Sequence, residues 1–521
     1  MSVAHASAAE PIPASDGASQ PWWRNPLWVG IAATVILWAA SFGGGAVRSR
    51  GGALEALGLS FIAFGHGRNL SMLLFWVGIF ALVYAWVLAG RHLVAPTLRA
   101  QDRQLAEPVV PRVQRLLWCW VIPLLFAGPL ASRDVYSYLM QGAMVRDGFN
   151  PYEQGAAANP GPYLLEVSHD WRNTTTPYGP LHLWTGDIIT SVVGDNVAAG
   201  VIAYKVVSVL GFALIAWAVP HIARALGGNP ALALWLGVAN PVMLIHLIGG
   251  MHNESVMVGL VSVGLVLALR KRFLAAIALV AVATALKVTA FFAMPFILWI
   301  FIHAFAPRPR DNWLKPIAAI LGGGVLIVVE SIAVVAAITW ASGSSWGWLS
   351  EITGNSKVIN PLAAPTLATD ILVPIMQVFS PDVTYNGVLG VARTISMALM
   401  LLGLVVVWCL SYKDRRAAVL GMAAAYCVAF VFNSVTLPWY YASVISVAGV
   451  ARPPRWMMKL ATAASFFVAV SFSGDGNHQL YNWWWVIAAA IAAWWCAEWI
   501  FQDTPRGAAL TAAPVPAASA S

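Results

Sequence analysis

The chain has 521 residues, of which 59% are hydrophobic and only 10% charged, and its mean hydropathy is +0.72. Soluble domains carry about 25% charged residues, so the composition excludes an ordinary soluble enzyme, and no polar stretch is long enough for a nucleotide-binding domain. The net charge of +8 does not call for a nucleic-acid partner, because the placement of the basic residues accounts for it.

Residues 1–25 are rich in Ala, Ser and Pro. They lack the basic start and apolar run of a signal peptide and are predicted to be a disordered tail, as are residues 502–521. Between them, residues 26–501 read as one membrane domain. Apolar stretches of spanning character fall near 27–46, 70–90, 115–131, 198–220, 230–249, 253–269, 273–287, 289–304, 316–341, 388–411, 417–432, 436–451, 456–472 and 483–501. This predicts an all-α polytopic bundle of about fourteen spans, or about thirteen if the short pair 273–287 and 289–304 is one. The apolar segment 181–194 is shorter and fits a re-entrant or interfacial helix.

Orientation follows from Lys and Arg. Arg91, Arg99, Arg103, Arg112 and Arg115 share one loop. Later groups are Arg270-Lys271-Arg272, Arg308/Arg310/Lys315, Lys413/Arg415/Arg416 and Arg452/Arg455/Lys459. With about fourteen spans and a cytoplasmic N-terminus, every group faces the cytoplasm, as does the C-terminus. The long loops 132–197 and 342–387 then lie outside the plasma membrane. Cys119, Cys409, Cys427 and Cys496 are scattered through apolar segments without metal-ligand spacing, so no metal is expected.

The first outer loop is too long for a simple connection. Tyr136, Leu139, Met140, Ala143 and Met144 recur at helical spacing, predicting a short amphipathic helix on the membrane surface. Asp134 begins it, beside Arg133. A carboxylate at the lip of a span suits a general base; the competing reading is an N-cap by Ser132 or Asp134. His169, Asp170 and Arg172 cluster further on and suit sugar hydroxyls or phosphate, or else form a solvated Asp–Arg loop. Tyr178, in the turn Thr176-Pro177-Tyr178-Gly179-Pro180, offers a sugar-stacking face or merely steers the chain.

His252, Asn253 and Glu254 follow two glycines at an outer turn. Polar groups there are costly unless used or paired; they suit a sugar or phosphate head group, or an Asn253-capped helix start. Lys287 lies inside an apolar stretch near the outer side and suits a phosphate leaving group, against simple snorkelling. Lys205 and Arg393 are further intramembrane bases. Trp439 is either an interfacial belt residue or a sugar platform.

Arg133-Asp134-Val135-Tyr136-Ser137-Tyr138, Asn150-Pro151-Tyr152, Thr176-Pro177-Tyr178-Gly179-Pro180 and Gly250-Met251-His252-Asn253-Glu254 together resemble the actinobacterial polyprenol-phosphomannose-dependent α-(1→6)-mannopyranosyltransferases of the GT-C class. The likeness runs from about residue 27 to 500. It implies a polyprenyl-phosphate mannose donor, a phosphatidylinositol-mannoside or related glycolipid acceptor, inversion at the anomeric carbon, and Asp134 as base. No cofactor or metal is then required. The residues themselves, apart from the resemblance, suggest Lys287, Arg133 and Arg172 for the donor phosphate, and Asp170, His169, Tyr178, His252, Asn253, Glu254 and Trp439 for sugar. Other expectations are transfer of another lipid-linked sugar, such as arabinofuranose or glucose, or a lipid-linked sugar flippase. Transporters typically show repeats and paired broken helices, and neither is evident in the sequence.

Overall fold

The computed structural model describes residues 21–47, 52–99, 106–306, 314–351 and 359–502. The predicted tails lie outside these apart from residues 21–25 and Gln502, as do Arg103, Arg308 and Arg310. Among the described residues the architecture is all-helical, with one isolated bridge between Phe472 and His478.

Each apolar stretch carries helix, but fewer crossings than the sequence suggested have the length of a span. Among the described residues, eight helices are long and apolar enough to cross a membrane, or nine if the bent pair Pro230–Gly237 and Pro241–Gly249 is one span. Other apolar stretches form shorter helices. Glu254–Leu269 and Phe273–Leu286 have 16 and 14 residues. They rise only about 24 and 21 Å against a hydrocarbon core of about 30 Å.

The bent pair has an identifiable cause. Asn240 interrupts it: its side-chain oxygen accepts from Val242 N–H and its amide donates to Leu236 O and Ser465 Oγ, while Pro241 restarts the helix. Across the first half, Trp86 and Trp235 stack with centroids 4.7 Å apart, and each indole N–H donates to the other's carbonyl, at 3.1 and 2.9 Å. The second half ends in a π-helical turn, Leu244–Gly249, leaving carbonyls that lipid cannot satisfy. Lys205 satisfies two of them, donating to Ile248 O at 2.6 Å and Gly249 O at 3.5 Å, and it also donates to Leu124 O of a neighbouring helix at 3.3 Å. Lys205→Met is therefore expected to destabilise the protein by about 3 kcal/mol, read as a lower melting temperature in detergent.

The bundle has two chemically distinct ends. At one, Arg224 pairs with Glu107, Arg416 donates to Leu226 O, and Arg91 donates to the carbonyls of Trp499 and Gln502. At the other, Arg68 pairs with Asp475 and the chain enters its first long polar loop. There the helix Asp134–Arg146 forms as expected, but it is no surface helix. Val135, Tyr136, Tyr138, Leu139, Met140, Gly142, Ala143 and Met144 are all buried. The reason is a second helix, Pro180–Val193, which crosses it at Gly142 and Gly186. A Cβ on Gly142 would sit 2.2 Å from the Gly186 carbonyl carbon, so side chains are excluded where the backbones meet.

Candidate active site

Asp134 is released from capping by its neighbour. The Ser132 hydroxyl accepts the Asp134 N–H at 3.0 Å, which leaves the Asp134 carboxylate to turn inward. Its Oδ2 lies 3.4 Å from Nδ1 of His252, a fully buried imidazole, while the Asp134 side chain keeps 19% exposure to a cleft. His252 itself stacks on Trp439 at 3.6 Å and 16°, fixing the ring plane.

The backbone presents both groups through unusual turns. Ala131 has φ +58° and Met251 φ +55°, conformations that cost a non-glycine residue about 1–3 kcal/mol and persist where surroundings over-determine them. The bracing is visible: Ala131 N–H donates to Gly474 O at 2.7 Å and Leu130 N–H to Gly249 O at 3.2 Å. Three distant loops thus meet behind the Asp134–His252 pair.

Lys287 stands at the junction between helix Phe273–Leu286 and the 3₁₀ turn Val288–Ala293. It is buried and hydrogen-bonds Glu254, with its ammonium 4.2 Å from the Tyr440 ring centroid and 5.4 Å from that of Tyr178. The Thr176–Pro180 turn docks onto this junction, Gly179 N–H donating to Leu286 O at 3.2 Å. Tyr178 in turn packs on His182 at 4.4 Å and edge-to-face on Tyr138 at 5.6 Å.

Burial pushes the Asp134 carboxyl up, but the interactions with His252, Ser132 and Lys287 outweigh it and hold the group below its ordinary value. His182 is pushed down to about 3, first by burial and then by the Lys287 charge, so it is a neutral imidazole. The depressed Asp134 value sets a sign: the carboxylate is present at neutral pH and is lost as pH falls through that value, together with the stability its ionised form contributes. His252→Gln removes a lowering influence, so the acid limb of the rate–pH profile is expected to move to higher pH. An unmoved limb in kcat/KM against pH would remove His252 from this role.

The cleft beside Asp134 encloses about 530 Å³ counted to its open mouth, and is walled by Ser137, Tyr138, Gln141, Trp171, Tyr178 and Tyr440 among others. The second long loop reaches its rim, where Thr175 donates to Glu351. Among the described residues, no three His, Cys, Asp or Glu side chains converge as metal ligands.

Of the residues singled out from sequence, Asp134, Tyr178, His252, Asn253, Glu254, Lys287 and Trp439 come together here. Arg133 turns aside to Glu166, at 3.3 Å from Oε2 and 2.9 Å from its carbonyl. Arg172 donates to the carbonyls of Val167 and Leu165, both at 3.3 Å. His169 and Asp170 are exposed, and neither lines the cleft, whereas the adjoining Trp171 does. Tyr138 and Tyr440 belonged to stretches singled out from sequence, whereas Gln141, His182, Glu351 and His246, whose ring centroid is 5.7 Å from that of Trp439, were not anticipated. His182 and His246 had a readable signal, a lone polar side chain inside an apolar run.

Residues 27–303 match the family profile described as alpha-(1->6)-mannopyranosyltransferase, N-terminal domain, and residues 378–501 match MptB C-terminal domain. The chain belongs to the α-(1→6)-mannopyranosyltransferase family. It is 57% identical over 488 residues to alpha-(1->6)-mannopyranosyltransferase A of Corynebacterium glutamicum, covering 92% of this chain and 99% of the relative. Similarity to the Mycobacterium tuberculosis protein named alpha-(1->6)-mannopyranosyltransferase A is 35% over 460 residues, 88% of this chain and 86% of that one. A second C. glutamicum relative, named alpha-(1->6)-mannopyranosyltransferase B, is 28% identical over 481 residues, covering 85% and 77%. The chain is thus a membrane glycosyltransferase of the α-(1→6)-mannopyranosyltransferase family. Both matched regions contribute to the cleft, Asp134 and Tyr178 from the first and Leu437 and Tyr440 from the second.

Proposed function

We propose that this enzyme moves mannose from polyprenyl-phosphate mannose to a mannan-bearing glycolipid, forming an α-(1→6) bond with inversion at the anomeric carbon. The acceptor would be a phosphatidylinositol-mannoside or a related lipid. The observation that carries the reading is a carboxylate, Asp134, walling an open cleft in a chain of this family. In the proposed step the acceptor 6-hydroxyl oxygen bonds to C1 of the donor mannose as the C1–O bond to phosphate breaks. Asp134 takes the hydroxyl proton, and the polyprenyl phosphate departs with the bonding electron pair.

Lys287 is the group proposed to meet that phosphate. An ammonium carries three donors; Glu254 takes one and holds the charge in place, leaving others for the leaving group, whose growing charge a fixed cation stabilises. Arg133 and Arg172, both occupied by loop contacts, are assigned to holding the loop rather than the phosphate. The basic end of the bundle is placed at the cytoplasm by the positive-inside rule, which sets the cleft at the outer face of the plasma membrane, where a lipid-borne donor is at hand. A water-soluble nucleotide sugar is not needed.

The test supplies labelled polyprenyl-phosphate mannose and a mannoside acceptor to purified protein in detergent. Product with a new α-(1→6) bond and an inverted anomeric centre supports the reading. No product from this donor, with turnover of arabinofuranosyl or glucosyl phospholipid instead, would reassign the sugar. No transfer at all without a sealed membrane, with head-group translocation across one, would replace transfer by transport.

A further inference from the structure

The helix that carries Asp134 presents more than a base to the cleft. Asp134, Ser137, Tyr138 and Gln141 follow one another at helical spacing and all wall the same opening, so they lie along one helix face. Gln141 is two turns from Asp134, about 10 Å along the axis, a separation that a disaccharide spans. Trp171 and Thr174 wall this stretch as well, and they also wall, with Ser137 and Gln141, the smaller space next to it.

Gln141 is held from behind. His182 Nε2 lies 2.9 Å from Gln141 Oε1, and His182 Nδ1 lies 3.4 Å from the Asn253 amide nitrogen. Because His182 is neutral, one ring nitrogen donates and the other accepts, and the three side chains form a chain of fixed polarity. That chain uses one end of the Gln141 amide. The other end has no partner among the described residues, and the Ser137 hydroxyl on the same face is buried without one. Buried polar atoms left unpaired are uncommon. A pinned amide, an unpaired hydroxyl and an indole face make the donor, acceptor and apolar surface that a pyranose ring requires.

We propose that Gln141, with Ser137, Trp171 and Thr174, forms a second acceptor-sugar subsite that binds the mannosyl unit next to the one being glycosylated. It rests on the transferase reading above and extends it: the enzyme would read at least two linked sugars of its acceptor. His182 and Asn253 are positioning residues for the Gln141 amide.

The experiment compares kcat/KM for synthetic acceptors bearing one mannose and two α-(1→6)-linked mannoses on the same lipid-like aglycone, with polyprenyl-phosphate mannose as donor. The wild type is expected to prefer the dimannoside by about tenfold or more, the worth of one or two sugar hydrogen bonds. Gln141→Ala and Trp171→Ala should each bring that ratio close to one, and Gln141→Glu, which keeps an acceptor, should retain part of it. The melting temperature in detergent, taken on the same preparation, reports that each variant is folded. Equal use of both acceptors by the wild type, or an unchanged preference in Gln141→Ala, would overturn the subsite while leaving transferase activity established. Failure of both acceptors in the wild type would instead strike the transferase reading.

Discussion

Asp134→Asn is expected to lower kcat for mannosyl transfer by about 10²- to 10⁴-fold, the range a positioned general base contributes. The amide is nearly isosteric and keeps an oxygen toward His252, so folding and donor binding should change little. Two features give the prediction its edge. Ser132, not Asp134, supplies the helix-start hydrogen bond, so no cap is lost. And the carboxylate faces both a buried imidazole and the open cleft, the arrangement a proton acceptor needs. Turnover within severalfold of wild type, in protein that still binds donor, would leave Asp134 as a structural partner of His252 and no more.

Lys287 carries the second large expectation, and here stability and chemistry must be separated. Lys287→Met leaves Glu254, only 1% exposed, as a buried carboxylate without its cation, which should cost about 3–5 kcal/mol of stability. Adding Glu254→Gln replaces the ion pair by neutral groups, and most of that loss should return. Turnover should behave otherwise. If the ammonium meets the leaving phosphate, both the single and the double variant lose about 10²- to 10³-fold in kcat/KM for donor, as when a transition-state donor is removed. A double variant that regains turnover along with stability would show that the pair holds the fold and does not touch the reaction.

These two expectations also mark what one dimension of information allows. Asp134, Glu254 and Lys287 stand out in the sequence because a charge among apolar residues is conspicuous wherever it falls. Their pairing does not: Lys287 and Glu254 are 33 residues apart, and nothing in either neighbourhood names the other. Lys205 was conspicuous for the same reason, yet its partners are backbone carbonyls, which every residue possesses and no sequence advertises. Gln141 gave no signal at all, since its significance comes from His182 and Asn253 behind it. Arg133 and Arg172 looked like phosphate ligands on charge alone, and only the fold of their loop reveals the oxygens that occupy them. Helical character was legible throughout because apolar runs and breaker residues are local. The number of crossings is less legible, because a window of hydropathy measures composition, whereas length picks out eight helices among the described residues, or nine with the bent pair.

The strut from Gly474 to Ala131 and the indole of Trp439 beneath His252 carry one more implication. Both come from the last third of the chain, and both brace groups borne by its first half. A fragment ending near residue 303, although it would contain the whole N-terminal profile match, would lose the scaffolding that aims its own carboxylate. The two halves recognised by comparison are therefore units of ancestry, not separable workshops, and damage to the distal hairpin should be felt as a fault at the reacting centre.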